Sequence, residues 1–148
     1  MARNVRDIFT GTIKANITAN CGIIELDHVR TLALQLCADY NASAASPAVL
    51  QLFYSPDGQE FDSVVFDSWT LNLSAGSRQR KSKHYDLPEQ GFLMLKIQNQ
   101  DSTYDLTNVR LIMSQARHAD VSLEADKYSY ESEARFRLKN RGANTNTA

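Results

Sequence analysis

Residues 50–62 constrain the fold of this chain more than any other stretch. An apolar, β-forming run ends in Pro56-Asp57-Gly58, and an aromatic residue, Phe61, follows the turn. Proline presets φ for the turn, an aspartate side chain accepts hydrogen bonds from the backbone beyond it, and glycine adopts positive φ without steric cost. The pattern predicts a β-hairpin and therefore a β-protein.

The size and charge of the chain narrow the class of protein. Its 148 residues fit one domain, which buries roughly 68–70% of its unfolded surface. A hydrophobic content of 43% argues against wholesale disorder, and a net charge of -1 gives no general attraction to nucleic acid. No apolar run approaches the ~20 residues of a membrane span, and the charged N-terminus does not resemble a signal peptide. The sequence therefore predicts a soluble protein made in the cytosol, with no membrane or nucleic-acid partner.

The two cysteines, Cys21 and Cys37, do not make a disulfide framework. Cys37 ends an apolar strand-like run, residues 32–37, which predicts a reduced and packed thiol. Zinc needs about four ligands, and no pair of cysteine or histidine residues has zinc-like local spacing. We therefore expect no metal ion and no cofactor.

Short strands separated by turn-rich segments dominate the middle of the chain. The predicted strands are residues 21–27, 31–38, 48–55, 64–73, 78–86, 92–99 and 106–114. Turns about every ten residues are typical of an antiparallel sandwich or barrel. The sequence therefore predicts an all-β protein with an antiparallel β-sandwich.

Apolar residues alternate with polar ones along several of these strands. The alternating triplets are Leu32, Leu34 and Leu36; Trp69, Leu71 and Leu73; and Val109, Leu111 and Met113. A period of two places each triplet on one face of its strand, towards a shared core. Residues 93–97 are apolar on nearly both faces, which predicts a central strand.

The two ends of the chain differ from its middle. We expect residues 1–20 to form an N-terminal arm, residues 21–114 the β-sandwich domain, and residues 115–148 a C-terminal arm and tail. Periodicity does not decide between strand and helix for residues 115–138. Residues 140–148 contain no core-forming side chain, so we expect them to be disordered in the isolated molecule.

Several clusters have both a functional and a structural interpretation. The basic run 78–84 suits a phosphate or an acidic partner, but an edge strand carries such charges to prevent aggregation, and we favour the edge strand. Acidic residues gather around the predicted hairpin: Asp57, Glu60, Asp62 and Asp67. Their spacing departs from the calcium-loop pattern, so turn formation and solvation explain them better.

No catalytic motif is visible in the sequence. The three histidines lie far from one another, and neither a nucleophile elbow nor a glycine-rich phosphate loop is present. We therefore expect no enzyme activity. The aromatic residues that could stack on sugars are Tyr40, Tyr54, Phe66, Trp69, Tyr85 and Tyr104, although aromatics in strands are more often part of the core.

Three segments resemble a group of small β-sandwich proteins encoded among the structural genes of tailed bacteriophages. They are residues 52–62, 92–103 and 106–109. The shared pattern is a Ser-x-Asp-Gly hairpin (55–58), a strand ending in Asn-x-Asp (99–101) and a last strand opening with Thr-Asn (107–108). The resemblance covers about residues 20–114, and the two ends have no counterpart.

The resemblance implies a jelly-roll-like sandwich that serves as a capsid decoration (cement) protein on the capsid surface of the virion. Its partners would be the major capsid protein and further copies of itself, as a homotrimer. The two arms would make the contacts, because exposed aromatic and arginine side chains are the usual anchors of interfaces. The candidate partner-binding residues are Arg3, Arg6, Tyr128, Tyr130, Phe136 and Arg137.

Two other virion roles remain open at this point. A glycan- or receptor-binding module of a tail or baseplate would present exposed aromatics on one rim of the sandwich. A neck or head-completion protein would form a ring of about a dozen copies, and its oligomer would be much heavier than a trimer.

Overall fold

A computed structural model describes residues 3–87 and 90–117, which form eight β-strands and contain no helix. The strands are β1 (Arg3–Ile13), β2 (Thr18–Glu25), β3 (Val29–Asp39), β4 (Ala48–Ser55), β5 (Asp67–Leu71), β6 (Arg78–Asp86), β7 (Phe92–Asn99) and β8 (Leu106–Arg117). Residues Asn4–Gln115 make one compact unit. The prediction of an all-β protein is confirmed.

The strands form two four-stranded sheets, in the orders β1-β8-β3-β6 and β2-β7-β4-β5. The pairs β2–β7, β3–β6, β4–β5 and β4–β7 are all antiparallel. The chain changes sheet at every connection except the one between β4 and β5, which therefore forms a hairpin within one sheet. Eight strands in two such sheets make a jelly roll. The predicted antiparallel, jelly-roll-like sandwich is confirmed.

The core lies between the inward faces of the two sheets, as the alternation predicts. The triplet Leu32, Leu34 and Leu36 is buried, and so is the triplet Val109, Leu111 and Met113. The prediction for the third triplet is correct only in part, because Trp69 and Leu71 are buried whereas Leu73 is 40% exposed. Leu73 lies outside the core since β5 ends at Leu71 and the chain then turns towards β6.

Strand β7 is central in its sheet, between β2 and β4, as its apolar sequence predicts. Leu93, Leu95 and Ile97 are fully buried on its inward face. Met94 and Lys96, on the outward face, are only half-buried. The apolar outward residue Met94 is paired with Ile23 of β2 and Phe53 of β4.

The predicted hairpin has a longer connection than a tight turn. Residues 56–66 link β4 to β5, and the backbone N–H of Phe66 donates to the Leu52 carbonyl at 2.7 Å before the strand pairing begins. Gly58 has φ of +77°. This positive value explains why the turn has glycine at this position.

The N-terminal boundary of the sandwich differs from the sequence prediction. Residues 3–13, assigned to an arm, form strand β1 beside β8, and Ile13 is buried in the core. The adjacent residues Ile8 and Phe9 both pack against this core, which breaks the alternation that would have identified a strand. At the other end, β8 extends to Arg117, and residues 118–148 of the predicted C-terminal arm lie outside the described residues.

Candidate functional site

The sequence-predicted contact residues fall at the two ends of the chain. Arg3 and Arg6 belong to β1, an edge strand, and the side chain of Arg6 is exposed. The other four predicted anchors, Tyr128, Tyr130, Phe136 and Arg137, lie outside the described residues. The part of the chain that the structure describes therefore contains two of the six residues of the predicted contact set.

The Ser-x-Asp-Gly motif builds the turn after β4. The buried Ser55 hydroxyl donates to Asp57 Oδ1 at 2.9 Å and accepts the Gly58 N–H at 2.9 Å. Asp57 Oδ1 in turn accepts the N–H groups of Gln59 and Glu60, at 2.8 and 3.2 Å. These hydrogen bonds lower the pKa of Asp57, with the bond from Gln59 the largest cause. The aspartate thus serves the turn, as the sequence predicts.

The Asn-x-Asp motif joins loops at one end of the sandwich. The buried side-chain amide of Asn99 donates to the carbonyl oxygens of Ile13 and Tyr104, at 3.1 and 3.0 Å. Asp101 accepts the backbone N–H groups of Ala45, Ser46, Thr103 and Tyr104. The connections β1–β2, β3–β4 and β7–β8 therefore meet on these two side chains.

The Thr-Asn motif fixes the start of β8 against the end of β3. Asn108 has a positive φ of 49° and donates from Nδ2 to Asp39 Oδ2 at 2.7 Å. Arg78 donates to Asp39 Oδ1 at 3.0 Å and to the Asn108 carbonyl at 2.9 Å. The hydrogen bonds from Asn108 and Arg78 lower the pKa of Asp39. All three motifs of the resemblance therefore hold loops and strand ends together.

A chain of polar and aromatic side chains lies where β5 and β6, the edge strands of the two sheets, face each other. The buried indole N–H of Trp69 donates to the Tyr85 hydroxyl at 2.8 Å, and this hydroxyl donates to Asp67 Oδ2 at 2.7 Å. Lys83 Nζ also donates to Asp67 Oδ2, at 2.7 Å. Burial acts to raise the pKa of Asp67, but the bonds from Lys83 and Tyr85 outweigh it, and the pKa is lowered. Burial and the bond to Asp67 raise the pKa of Tyr85.

Sequence reasoning missed an exposed apolar segment just before β5. Val64, Val65 and Phe66 are 75%, 37% and 44% exposed, and with Tyr54 and Asp62 they line an open groove of about 380 Å³. The predicted strand 64–73 includes Val64–Phe66, because β-branched and aromatic residues favour strands. No local signal indicates their exposure, since an apolar run without alternating polar residues is typical of a buried strand.

The interpretation of the basic run as an edge strand agrees with the position of β6 at the end of its sheet. Three of the six aromatic residues considered for sugar stacking are part of the core. Tyr40, Trp69 and Tyr85 are buried, whereas Tyr54 and Tyr104 are half-buried and Phe66 is exposed. Among the described residues, no three acidic, histidine or cysteine side chains gather in a way that could hold a metal ion. Nor do these residues contain a helix able to span a membrane.

Comparison with known proteins identifies the fold and no sequence family. No protein-family description matches the chain, and no curated protein resembles it in sequence. Among solved structures, VP2 in the subviral particle of infectious bursal disease virus is similar over 80% of this chain, with a TM-score of 0.55 and 8% identity. The T=1 particles derived from the same virus give a TM-score of 0.52 at 8% identity, again over 80% of this chain.

This chain covers 33% and 32% of those two chains, about a third of their length. The SPBc2 prophage-derived protein YomS is similar over 77% of this chain and 92% of its own, with a TM-score of 0.45 and 10% identity. At such identities the similarity concerns the fold. The protein is thus a jelly-roll β-sandwich, and its strand arrangement is similar to that of part of a viral capsid protein.

Proposed function

We propose that this protein is a non-enzymatic structural component of a virion, specifically a capsid decoration (cement) protein. It binds the outer shell and stabilises it by bridging neighbouring subunits of the major capsid protein. The observation that carries this proposal is the jelly-roll strand order, an arrangement that recurs in viral capsid domains. The similarity in fold to VP2 particles and the motif pattern of phage structural proteins support it.

In the described part of the chain, the motif side chains stabilise the fold itself, which is consistent with shell contacts at other positions. Its motif residues, including Ser55, Asn99, Asp101 and Asn108, are engaged in loop hydrogen bonds. Contacts with the shell are therefore assigned to exposed positions on β1, such as Arg6, and to residues 118–148 with their aromatic and arginine side chains.

Self-association of the protein would strengthen its binding to the capsid shell. In the proposed homotrimer, several weak contacts act together, because the first contact raises the effective concentration of the next. A threefold assembly needs only one heterologous interface, repeated until the ring closes. The protein would then sit on the capsid surface at junctions between capsid subunits, after synthesis in the host cytoplasm.

The direct test is reconstitution on empty shells of the virus that encodes the protein. Electron microscopy should show added density on the outer surface only when the protein is present. Tyr128→Ala/Tyr130→Ala and Phe136→Ala/Arg137→Ala should each lower occupancy at a fixed protein concentration. Arg6→Ala should lower it as well, whereas Arg30→Ala, which removes another exposed arginine, is the matched control.

Two kinds of result would contradict this proposal. Density at the neck, or an isolated oligomer of about a dozen copies by native mass measurement, would favour a head-completion protein. Unchanged occupancy in all three variants would exclude contact through these residues.

A glycan-binding role rests on one specific observation, the exposed Phe66 beside the groove that Tyr54 helps to line. Aromatic rings of this kind stack on sugar rings through their apolar faces. Saturable binding on a glycan array that Phe66→Ala abolishes would establish this role. Binding should be measured with labelled sugar, since the buried Trp69 is a poor reporter for a ligand in this groove.

A further inference from the structure

The exposed edge of β6 carries a distinctive set of charges. In the described part of the chain, β6 is the end strand of its sheet, so one row of its backbone N–H and C=O groups has no neighbouring strand. Five basic residues lie within its nine: Arg78, Arg80, Lys81, Lys83 and His84. Such an edge is a site where another strand can add to the sheet.

Two of these side chains determine which strand the edge accepts. Lys81 and Lys83 lie on the same face of β6 as Tyr85 and reach towards β5, where Lys81 Nζ donates to the Thr70 carbonyl at 3.2 Å and Lys83 Nζ to Asp67 at 2.7 Å. Their ammonium groups lie over the rings of Trp69 and Tyr85, at 5.9 and 5.6 Å. A strand added to β6 would place alternate side chains directly beside these two lysines.

Apolar side chains at those positions would desolvate the ammonium groups, whereas carboxylates would pair with them. Opposite charges facing each other across antiparallel strands stabilise the pair, and like charges destabilise it. The edge of β6 therefore discriminates against apolar strands and accepts acidic ones, which is specificity through repulsion of the wrong partner.

The chain itself contains a segment with the complementary pattern. In residues 120–126, polar residues alternate with apolar ones: Asp120, Ser122, Glu124 and Asp126 share one parity, and Val121, Leu123 and Ala125 the other. Glu124 and Asp126 are two residues apart, as are Lys81 and Lys83. An antiparallel register can thus place Glu124 opposite Lys83 and Asp126 opposite Lys81.

We propose that residues 120–126 of one copy of this protein add as a strand to the β6 edge of a second copy. The contact is heterologous, so its repetition forms a ring such as the proposed trimer when the rotation from one copy to the next closes. The proposal rests on the self-association part of the proposed function and is independent of binding to the shell.

The test measures the mass of the purified full-length protein by analytical ultracentrifugation over a range of concentrations. The wild type should associate, and less so as the salt concentration rises. Glu124→Lys/Asp126→Lys should weaken association about tenfold or more, because two favourable cross-strand pairs become repulsive. The control Glu131→Lys/Glu133→Lys makes the same change in charge at the same spacing beyond the proposed strand, and should associate as the wild type does.

The reciprocal variant, Lys81→Glu/Lys83→Glu, should also fail to associate by itself. An equimolar mixture of the two charge-reversed variants should associate again, because every contact between unlike variants pairs acidic with basic side chains. Lys83→Glu places a second carboxylate near Asp67, so circular dichroism must first show that this variant folds. The Glu124→Lys/Asp126→Lys variant changes no described residue and tests the proposal without this complication.

Three results would overturn the proposal: a wild type that is monomeric at every concentration, a control that loses association as strongly as Glu124→Lys/Asp126→Lys, or a mixture that stays monomeric. A monomeric wild type would also result if residues 120–126 added to β6 of their own chain. Shell occupancy measured in parallel separates the two proposals. A wild type that is monomeric but still occupies the shell contradicts this interface only, whereas a wild type that associates but does not occupy the shell contradicts the decoration function only.

Discussion

Asp101 holds two loops of the chain together through one carboxylate. It accepts backbone N–H groups from Ala45 and Ser46 at one oxygen and from Thr103 and Tyr104 at the other. These bonds lower its pKa to about 2, with the bond from Ala45 the largest cause. The Asp101 side chain therefore fixes two connections relative to each other. This structural role explains the aspartate of the Asn-x-Asp motif, and no bound ligand is needed to account for it.

The stability of the protein should therefore depend on pH in the acid range. The pKa of Asp101 is lower in the folded state than its ordinary value of 3.8, so the charged form stabilises the fold above about pH 4. This contribution is lost as the pH falls from about 4 to about 2. Asp101→Asn should lower the urea midpoint at pH 7, and its difference from the wild type should shrink over that interval.

Urea unfolding at intervals between pH 2 and pH 7 checks this expectation. Asp62→Asn, which removes an exposed carboxylate, is the control for the loss of one negative charge. Curves for wild type and Asp101→Asn that stay parallel between pH 4 and pH 2 would contradict the assignment.

The pair Trp69 and Tyr85 gives a second test on single residues. Tyr85→Phe leaves the buried indole N–H of Trp69 without its acceptor, which should lower the free energy of unfolding by about 1–3 kcal/mol. Tyr54→Phe removes an exposed hydroxyl bond to the Gln90 carbonyl and should cost less than about 1 kcal/mol.

A double-mutant cycle separates this hydrogen bond from packing. In a Trp69→Phe background the indole donor is absent, so Tyr85→Phe should cost less than it does in the wild type. An equal cost in both backgrounds would show that the bond contributes nothing to stability.

At the level of strands, sequence reasoning succeeded where turn-forming residues flank a strand on both sides. Strands β4, β6 and β7 have the predicted bounds for this reason, although β6 is mostly polar and β7 mostly apolar. Strand β1 was not predicted, because its apolar residues Ile8 and Phe9 are adjacent and polar residues surround them. Such a strand lacks the alternation of apolar and polar residues on which the prediction depends. Only its pairing with β8, which is remote in sequence, identifies it.

Two residues of β1 test whether this strand belongs to the sandwich in solution. Ile13 is 2% exposed and Val5 is 64% exposed. Ile13→Ala should lower the free energy of unfolding by about 2–5 kcal/mol, because it opens a cavity in the core. Val5→Ala should change it by no more than about 0.5 kcal/mol. Chemical denaturation of both variants would reveal a detached N-terminal arm if Ile13→Ala proved as harmless as Val5→Ala.

Two glycines with positive φ test the packing around the backbone. Gly91 and Gly22 have similar positive φ values, +111° and +118°, but a Cβ on Gly91 would approach Tyr54 Cε1 to 2.6 Å whereas one on Gly22 meets nothing within 4 Å. Gly22→Ala should cost about 1–3 kcal/mol through backbone strain alone. Gly91→Ala should cost more, and Tyr54→Ala should remove the excess. An equal cost for the two substitutions, measured by urea unfolding, would place Tyr54 away from Gly91.

For the whole molecule, the sequence predicts the fold class well, but it does not show which apolar segments are exposed. Core positions are recognisable from alternating residues such as Leu32, Leu34 and Leu36. The exposure of the Val64–Phe66 segment has no such local pattern, because it depends on where β5 begins. The motif residues Asn99 and Asn108 likewise carry information about the fold, and their hydrogen-bond partners, such as Ile13 and Asp39, are distant in sequence, so no local pattern identifies them.

The pairing of the first strand with the last predicts how the molecule folds. Strands β1 and β8 are neighbours although about a hundred residues separate them, so the first sheet is complete only when the whole chain has folded. Proteins with such distant pairings refold in milliseconds to seconds. Stopped-flow refolding followed by Trp69 fluorescence should give a rate in this range, and the equilibrium transitions by fluorescence and far-ultraviolet circular dichroism should coincide. Trp69 lies in the other sheet, so a fluorescence transition at lower urea than the circular dichroism transition would show that the two sheets unfold separately.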